Sequence, residues 1–370
     1  MEDFVLPRYG GGSLADLLPS IETRLGGGEP ALPVPETSKY VILLVDGLGH
    51  QILLEHAAHA EWMGAALARS ATLTCGVPST TATSLSSIGT GLPPAEHGIV
   101  GYTFLDPDTD QVMNSLTWEG GPDDVEEFRR AGTGYTRLGL QGHTCAAVTL
   151  ARFASSGLQQ LSFAGTALFG VDDEHDHGHF CSLVNQALES HDVIYAYHRR
   201  LDHTGHAHGV GSWQWLDQLG EVDDLIQALV QSLPRDVSLL VTGDHGMVNV
   251  PDEHRIVAET TPGLQGWRHL AGEGRFRQLY TDRPTELAHR WRDVLGERAV
   301  VLERHEALEA GWFGPVVRDD VASRVGDVVV AMRDDWAVMS TTFPQEFTLV
   351  GMHGSLTPRE MVVPLLVHEA

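Results

Sequence analysis

The sequence predicts an α/β protein in which a doubly wound, mostly parallel central sheet carries helices on both faces. Three short, largely apolar runs are typical of strands whose two faces are both buried: Tyr40–Val45, Asp192–Tyr197 and Val237–Val241. Stretches with helical periodicity separate these runs, and such alternation indicates a parallel sheet. Acidic residues follow each run closely, and the carboxyl edge of an open α/β sheet is where ligands bind.

The first half of the chain supplies strands and helices in turn, after a lead-in rich in glycine and proline. Apolar spacing and turn residues set the bounds. We expect, in order, a helix over Leu14–Arg24, a strand over Tyr40–Val45, a helix over Ile52–Arg69, a strand over Ala71–Cys75, a loop over Phe104–Trp118, a helix over Asp123–Ala131 and a strand over Thr144–Leu150.

The second half contains a long amphipathic helix over Trp213–Leu233, whose apolar positions form one face. The segment 252–345 then mixes short strands and helices before a last strand over Glu360–Val367. Within it we expect strands over Gln278–Thr281, Ala299–Leu302 and Val328–Met332 and a helix over Glu286–Leu295. We predict one domain over 1–370, with inserted excursions near 103–190 and 252–345 that build the walls of a substrate site.

Composition excludes several classes of function. The 370 residues carry a formal charge of −26, which argues against a protein that binds nucleic-acid polymers. Lys39 is the only lysine, so Schiff-base chemistry and a P-loop are disfavoured. The three cysteines form no Cys-x-x-Cys pair, which excludes a cysteine-built zinc site and fits a reducing compartment. No run approaches the ~20 apolar residues of a membrane span, and we expect a cytoplasmic protein.

The hydroxyl-rich segment Pro78–Gly91 comes just before and within a predicted short helix. It carries Ser79, Thr80, Thr81 and further hydroxyls. One interpretation is a helix N-cap, the usual position for serine and threonine. The other is a nucleophile toward phosphorus, since a helix N-terminus favours anions and a metal or base can activate the hydroxyl.

Carboxylate and imidazole groups gather where the predicted strands end. Asp46 follows the first buried run, and Asp244 and His245 follow the third. Asp202 and His206 stand four residues apart, which places them on one face of a helical turn. Three strand ends with such groups indicate one shared site better than three separate turn caps.

Other polar residues leave more than one interpretation open. His353 lies between glycines, an uncommon setting for a packed core histidine, whereas His198, His203 and His208 compete with His206 as ligands. The segment Asp172–His179 reads as a solvated acidic loop, because no predicted strand precedes it closely enough to fix its imidazoles. Four arginines are candidates to meet phosphate, although surface salt bridges are the simpler expectation: Arg199, Arg200, Arg275 and Arg277.

Ligands of mixed imidazole and carboxylate type, without cysteine, suit zinc, with Mn²⁺ as the alternative. The ordered motifs that surround them are Val45-Asp-Gly47, Pro78-Ser-Thr-Thr81, Gly89-Thr-Gly91, Glu96-His-Gly-Ile99, Asp202-x3-His206, Gly243-Asp-His-Gly246 and His353-Gly354. Together they resemble the alkaline phosphatase superfamily, and most closely its nucleotide pyrophosphatase/phosphodiesterase branch.

The resemblance implies an alkaline phosphatase-like fold and a site with two Zn²⁺ ions. Thr81 is the nucleophile by position, with Thr80 as its local competitor. It would attack phosphorus in line to give a phosphoryl- or nucleotidyl-threonine, which water then hydrolyses. The implied ligands are Asp46, Asp244, His245 and Thr81 for one ion and Asp202, His206 and His353 for the other.

The chain departs from the branch at one position. The branch usually has an asparagine there that donates a hydrogen bond to the phosphate, whereas this chain has Tyr102. A phenol also donates a hydrogen bond, but it is bulkier. A small phosphorylated substrate and a phosphodiesterase or nucleotide pyrophosphatase activity are therefore expected. The alternatives are a phosphomonoesterase, a phosphonate (C–P) hydrolase and a noncatalytic metal-binding protein. A sulfatase is disfavoured, since no Cys/Ser-x-Pro-x-Arg run is present.

Overall fold

A computed structural model describes residues 4–129 and 131–370. Seventeen strands are present in this part of the chain. In chain order they are β1 (Lys39–Val45), β2 (Ala71–Thr74), β3 (Thr103–Asp106), β4 (Gln111–Asn114), β5 (Cys145–Leu150), β6 (Ala167–Val171), β7 (Val193–His198), β8 (Val237–Thr242), β9 (Val248–Asn249), β10 (Arg255–Val257), β11 (His269–Glu273), β12 (Phe276–Tyr280), β13 (Ala299–Glu303), β14 (Val328–Met332), β15 (Ala337–Met339), β16 (Gly351–Met352) and β17 (Val362–His368).

The same residues form fifteen α-helices and several short 3₁₀ turns. In chain order the helices are α1 (Leu17–Leu25), α2 (His50–His56), α3 (Glu61–Leu67), α4 (Thr81–Thr90), α5 (Pro94–His97), α6 (Val125–Arg129), α7 (Gly134–Leu140), α8 (Gly157–Phe163), α9 (His177–Leu188), α10 (Arg200–His208), α11 (Trp213–Ser232), α12 (Pro284–Leu295), α13 (Arg304–Glu309), α14 (Asp319–Ala322) and α15 (Pro358–Met361). None of these helices combines the length and hydropathy that crossing a bilayer requires.

The central sheet has seven strands in the order β2-β17-β8-β1-β7-β5-β6. The strands from β8 to β6 pair in parallel, and β17 alone runs against its neighbours. Side chains of β1 alternate between two apolar clusters, one on each face of the sheet, and all but Lys39 are buried. The predicted α/β fold with a mostly parallel sheet is therefore confirmed.

Helices cover both faces of this sheet. Side chains of α1, α4, α7 and α8 join the cluster on one face, and those of α2, α3, α9, α10 and α11 join the cluster on the other. This arrangement leaves the carboxyl ends of β1, β7 and β8 at one edge, where short connections lead into α2, α10 and β9.

A second, antiparallel sheet is formed by β11-β12-β14-β13 from the segment 252–345. Helix α12 packs on it through Leu287 and Trp291. Two buried ion pairs join this sheet to the C-terminal part of the chain, Arg275 with Glu360 and Arg277 with Glu346. The division into one domain with two inserted excursions stays a prediction.

Three predictions about elements were wrong. The expected loop over Phe104–Trp118 contains a hairpin, because β3 and β4 pair from Thr103↔Asn114 to Asp106↔Gln111. The expected helix over Ile52–Arg69 breaks at Ala60, where the carboxylate of Asp223 in α11 accepts hydrogen bonds from the first amides of α3. Apolar spacing continues across the break, which hides it in the sequence.

The segment Asp172–His179 also differs from its prediction as a solvated loop without a preceding strand. Strand β6 ends at Val171, directly before it, and helix α9 begins inside it. Asp176 caps this helix by accepting a hydrogen bond from the amide of His179 at 2.8 Å. Strand β6 is short and contains Gly170, which weakens its strand pattern, and it is the outermost strand of the sheet.

Candidate active site

The ends of β1 and β8 bring two carboxylates together. The two strands are parallel neighbours in the sheet. Asp46 directly follows β1, and Asp244 lies two residues after the end of β8. The amide of Gly47 donates to Asp244 Oδ1 at 2.9 Å, and the φ of +75° at Gly47 permits this turn. Both carboxylates are buried.

Helix α10 supplies the next pair. Asp202 and His206 face each other one turn apart, with Asp202 Oδ2 at 3.3 Å from His206 Nε2. A Cβ on Gly47 would lie 3.0 Å from Asp202, so the turn after β1 packs closely against α10. The glycine therefore permits the approach of this helix to the end of β1.

His353 arrives from the opposite side, on the segment after β16. It is buried, and its ring stacks on that of His245 with 3.7 Å between the centroids. The ring of His206 lies 5.2 Å from that of His353. Burial lowers the pKa of His353 well below its usual value, and the nearby His245 adds to this shift.

The three histidines share one hydrogen-bonding pattern. Each has Nδ1 within hydrogen-bonding distance of a backbone carbonyl, which can only accept: His206 with Gly351 at 2.8 Å, His245 with Gly246 at 2.9 Å and His353 with Ser79 at 2.9 Å. Nδ1 is therefore the protonated nitrogen, and the lone pair of Nε2 is left for another partner. This is the arrangement that metal-binding histidines adopt.

Thr81 is the first residue of α4, and Thr80 is the N-cap residue before it. The hydroxyl oxygen of Thr81 lies 3.1 Å from His245 Nε2 and 3.5 Å from Asp46 Oδ1. Ser84, one turn later, donates to the backbone carbonyl of Asp244 at 2.7 Å and ties the helix to the end of β8. The structure thus brings Thr81 into the carboxylate and imidazole cluster.

Two acidic oxygens of the cluster lack a hydrogen-bond donor among the residues that the structure describes. These atoms, Asp202 Oδ1 and Asp244 Oδ2, are buried. Burial raises the pKa of Asp46 well above its usual value, and the nearby Asp244 and Asp202 raise it further. One phenol, Tyr197, donates to Asp46 Oδ2. Bound cations would supply the charge that these carboxylates lack.

Two sets of side chains have ligand atoms close enough to hold a metal ion. They are Asp202 with His206 and His353, and Asp46 with Asp202 and His245. Asp202 belongs to both, so the two sets adjoin. The second set includes Asp202 where the sequence resemblance implies Asp244, whose Oδ2 lies 3.5 Å from His245 Nε2. Oxygen and imidazole donors fit Zn²⁺ or Mn²⁺.

A cavity of about 390 Å³ opens beside the cluster. Tyr102 lines it, and burial raises the pKa of this phenol, which is therefore a hydrogen-bond donor at neutral pH. Glu273 and Arg199 are further charged residues of its wall. An apolar and aromatic part of the wall consists of Leu85, Leu116, Phe153, Leu158, Phe163, Tyr195 and Leu349.

The competing histidines lie elsewhere or at the rim. His198 is buried on β7, His208 Nδ1 contacts Gln214, and His203 lines the cavity outside both sets of ligand atoms. The expectation of surface salt bridges was wrong for two arginines. Arg275 and Arg277 are fully buried, because each pairs with a glutamate inside the molecule.

Sequence reasoning missed two residues of the site. Tyr197 is the last residue but one of β7 and pairs with Leu44 of β1, so strand register would have placed it near Asp46. Glu273 ends β11, has a side chain that is only 13% exposed, and lies 3.5 Å from His353 Nδ1 through Oε2. No local motif marks Glu273, because the contact depends on how the second sheet packs.

The fold and the cluster define a class of protein, and the sequence agrees with it. Residues 40–356 match the family "Type I phosphodiesterase / nucleotide pyrophosphatase". The chain belongs to this family, whose members are phosphoester hydrolases. The predicted alkaline phosphatase-superfamily relationship is confirmed.

Among solved structures, murine ectonucleotide pyrophosphatase/phosphodiesterase 5 is similar, with a TM-score of 0.71, 17% identity and coverage of 90% of this chain and 88% of that chain. One structure of that protein is a complex with AMP. Phosphonoacetate hydrolase from Sinorhizobium meliloti, in complex with phosphonoacetate, has a TM-score of 0.69 and 19% identity, and covers 90% of this chain and 91% of that one. These likenesses show the fold.

A shorter match joins the chain to the catalytic subunit of GPI ethanolamine phosphate transferase 3. The human protein is 41% identical over 61 residues, which are 16% of this chain, and the mouse protein is 41% identical over 58 residues. The match spans only about 6% of the length of the human relative.

Proposed function

We propose that the protein is a metal-dependent phosphodiesterase or nucleotide pyrophosphatase that acts on a small phosphorylated substrate. The observation that carries this proposal is the position of the Thr81 hydroxyl, 3.1 Å from His245 Nε2 and 3.5 Å from Asp46 Oδ1. In the described part of the chain, two buried carboxylate oxygens of the same cluster, Asp202 Oδ1 and Asp244 Oδ2, have no donor, and three histidines turn their unprotonated Nε2 atoms to this cluster.

The cluster fits two divalent ions, with zinc as the first choice and Mn²⁺ as the alternative. Asp46, Asp244 and His245 would hold one ion beside Thr81, and Asp202, His206 and His353 would hold the other. Asp202 is close enough to serve both. Such ions, when bound, lower the pKa of a coordinated hydroxyl and stabilise charge on the attacking and leaving oxygens of a phosphoryl transfer.

The protein's own residues supply position and order. Helix α4 holds Thr81 at its N-terminus, facing the cavity, and Ser84 anchors that helix to β8. The Thr81 hydroxyl would attack phosphorus, so that a P–O bond to Thr81 forms and the bond to the leaving group breaks. Water would then hydrolyse the phosphothreonine ester. Tyr197 holds Asp46 through a hydrogen bond, which fixes the carboxylate beside the nucleophile.

A phosphonate hydrolase is the second candidate. Tyr102 lines the cavity where the phosphodiesterase branch usually has an asparagine, and its bulk restricts the space for a second ester group. The solved phosphonoacetate hydrolase has the same fold. A phosphomonoesterase is compatible with this restriction as well, because a monoester carries no second ester group. A noncatalytic role is disfavoured, because the Thr81 hydroxyl lies within reach of His245 and Asp46 in the same cluster.

The test is a paired assay on zinc-loaded protein, with an aryl phosphate diester and the matching aryl monoester. We expect turnover of the diester at the higher kcat/KM, loss of activity with a chelator, and recovery with Zn²⁺ or Mn²⁺. A preference for the monoester would assign a phosphatase. Two bound metals with no turnover of either ester would contradict the phosphoester proposal and favour the phosphonate or noncatalytic alternatives.

We also propose a cytoplasmic location, supported by three free cysteines that are all buried. Cell fractionation with the full-length protein tests it, and recovery outside the cytoplasmic fraction would contradict it.

A further inference from the structure

We propose that Arg199, held in place by Glu174, selects substrates that carry a second oxyanion, a carboxylate or a phosphate, beyond the reacting phosphoryl group. This inference rests on the proposed function and adds a specificity residue to it. The reacting group would lie at Thr81 and the metal ligands, and the second anion would meet the guanidinium of Arg199.

Arg199 is placed between two parts of the site. It follows the end of β7, two residues after Tyr197, and it precedes Asp202 by three residues. The side chain lines the same cavity as Thr81 and Asp202. It is the only arginine or lysine in the cavity wall among the residues that the structure describes.

One edge of the guanidinium is fixed and the rest is available. Nε donates to Glu174 Oε2 at 2.9 Å and Nη2 donates to Glu174 Oε1 at 2.6 Å. Within residues 4–129 and 131–370, no protein group accepts a hydrogen bond from Nη1, and this nitrogen is not fully buried. The side chain is 24% exposed, so these N–H groups remain accessible.

The acidic segment Asp172–His179 thereby has a function. Its carboxylate at Glu174 is 17% exposed and holds Arg199 by a bidentate pair. Asp173 and Asp176 accept hydrogen bonds from the backbone amides of His175 and His179, which fixes the turn that carries Glu174. A bound guanidinium edge loses little further entropy when it meets an anion, which favours recognition by the remaining donors.

The chemistry of the cavity explains why a second anion needs Arg199. The other charged side chains of the wall are acidic: Asp46, Asp202, Glu273 and Glu346. Metal ions would offset the first two, whereas Glu346 pairs with Arg277. Guanidinium N–H groups bind carboxylate and phosphate oxygens by charge-assisted hydrogen bonds, each of which commonly contributes about tenfold or more in affinity.

The test measures binding, so that it does not depend on turnover. Zinc-loaded protein is titrated calorimetrically with methylphosphonate, phosphonoacetate and methylenediphosphonate. The first ligand has one anionic group, the second adds a carboxylate and the third adds a phosphonate. We expect the wild type to prefer the second and third ligands over the first by about tenfold or more.

The preference should disappear in Arg199→Ala and persist within about threefold in the control Arg200→Ala. Arg200→Ala removes the neighbouring arginine, which binds Gln218 through Nε and does not line the cavity. Glu174→Gln replaces one of the two acceptor oxygens of the bidentate pair by an amide NH2 group, so the preference should be weaker than in the wild type and stronger than in Arg199→Ala. Binding of methylphosphonate should be similar in all four proteins.

Loss of the phosphonoacetate preference alone, of the methylenediphosphonate preference alone, or of both would support the proposal and identify the anion. An unchanged preference in Arg199→Ala would overturn it, as would an equal loss in Arg200→Ala, which would indicate a purely structural role. Failure of the ester assay with an intact Arg199-dependent preference would contradict the proposed activity and leave this inference standing.

Discussion

Replacing Glu360 by glutamine should destabilise the protein strongly, because it removes the negative charge of a fully buried ion pair. The carboxylate accepts from Arg275 Nε at 2.9 Å and Nη2 at 2.7 Å, from the amide of Ser355 at 3.0 Å and from the hydroxyl of Thr357. Arg275 precedes β12 of the antiparallel sheet, whereas Glu360 precedes β17 of the central sheet. The pair therefore joins the two sheets.

The magnitude follows from burial. Both side chains are 0% exposed, so the variant leaves a guanidinium in the interior without its counter-charge. Breaking a buried pair from one side costs about 3–5 kcal/mol, a large part of the roughly 5–15 kcal/mol of a typical protein. The segment 353–357 also loses its anchor, so metal binding at His353 should weaken with it.

Equilibrium unfolding in urea measures the loss. Glu286→Gln, at a pair whose side chains are 79% and 56% exposed, is the control and should change the unfolding free energy by only ~0–1 kcal/mol. The double variant Arg275→Met/Glu360→Leu should be more stable than Glu360→Gln, because it leaves no buried charge unpaired. A loss below about 1 kcal/mol in Glu360→Gln would refute the reasoning.

Three further predictions concern other contacts. Tyr197→Phe removes the hydroxyl that holds a site carboxylate and should weaken zinc binding ~10–100-fold in a chelator competition; equal affinity would contradict it. Gly89→Ala places a Cβ 1.9 Å from the carbonyl oxygen of Ser162 and should cost about 1–3 kcal/mol or more in urea unfolding, whereas Gly139→Ala, with open space, should not. Burial lowers the pKa of His97 to about 3, whereas this histidine binds a proton below about pH 6.5 in the unfolded chain. The free energy of unfolding should therefore be about 2 kcal/mol smaller at pH 5 than at pH 7. In His97→Gln the free energy of unfolding should lose that much less between pH 7 and pH 5, and the same pH dependence as in the wild type would contradict this prediction.

The central sheet could be predicted because its strands are buried on both faces. Continuous apolar runs mark β1, β7 and β8, and polar residues at their ends mark the ligand edge. Strand β6 could not be recognised in the same way, since its apolar run is short and is interrupted by Gly170. The hairpin of β3 and β4 was missed because Asp106-Pro-Asp108 reads as a loop, although it forms the turn region of a pair.

The residues of the site could be named from motifs, but their arrangement needed tertiary structure. Asp46, Asp202 and His245 approach one another from three separate elements, and no local spacing predicts that Asp202 adjoins both ligand sets. The contacts of Glu273 and Tyr197 depend on packing between sheets and on register. The Arg199–Glu174 pair depends on the turn after β6, which the sequence did not reveal.

Trapping the covalent intermediate tests the role of Thr81 as nucleophile most directly. The zinc-loaded protein is mixed with a phosphate diester, quenched with acid and analysed by peptide mass spectrometry. We expect a phosphoryl or phosphoester adduct on Thr81, its loss in Thr81→Ala with a fall in kcat of at least about 10³-fold, and its persistence in Thr80→Ala. An adduct on another residue, or turnover by Thr81→Ala near the wild-type rate, would show that Thr81 is not the nucleophile.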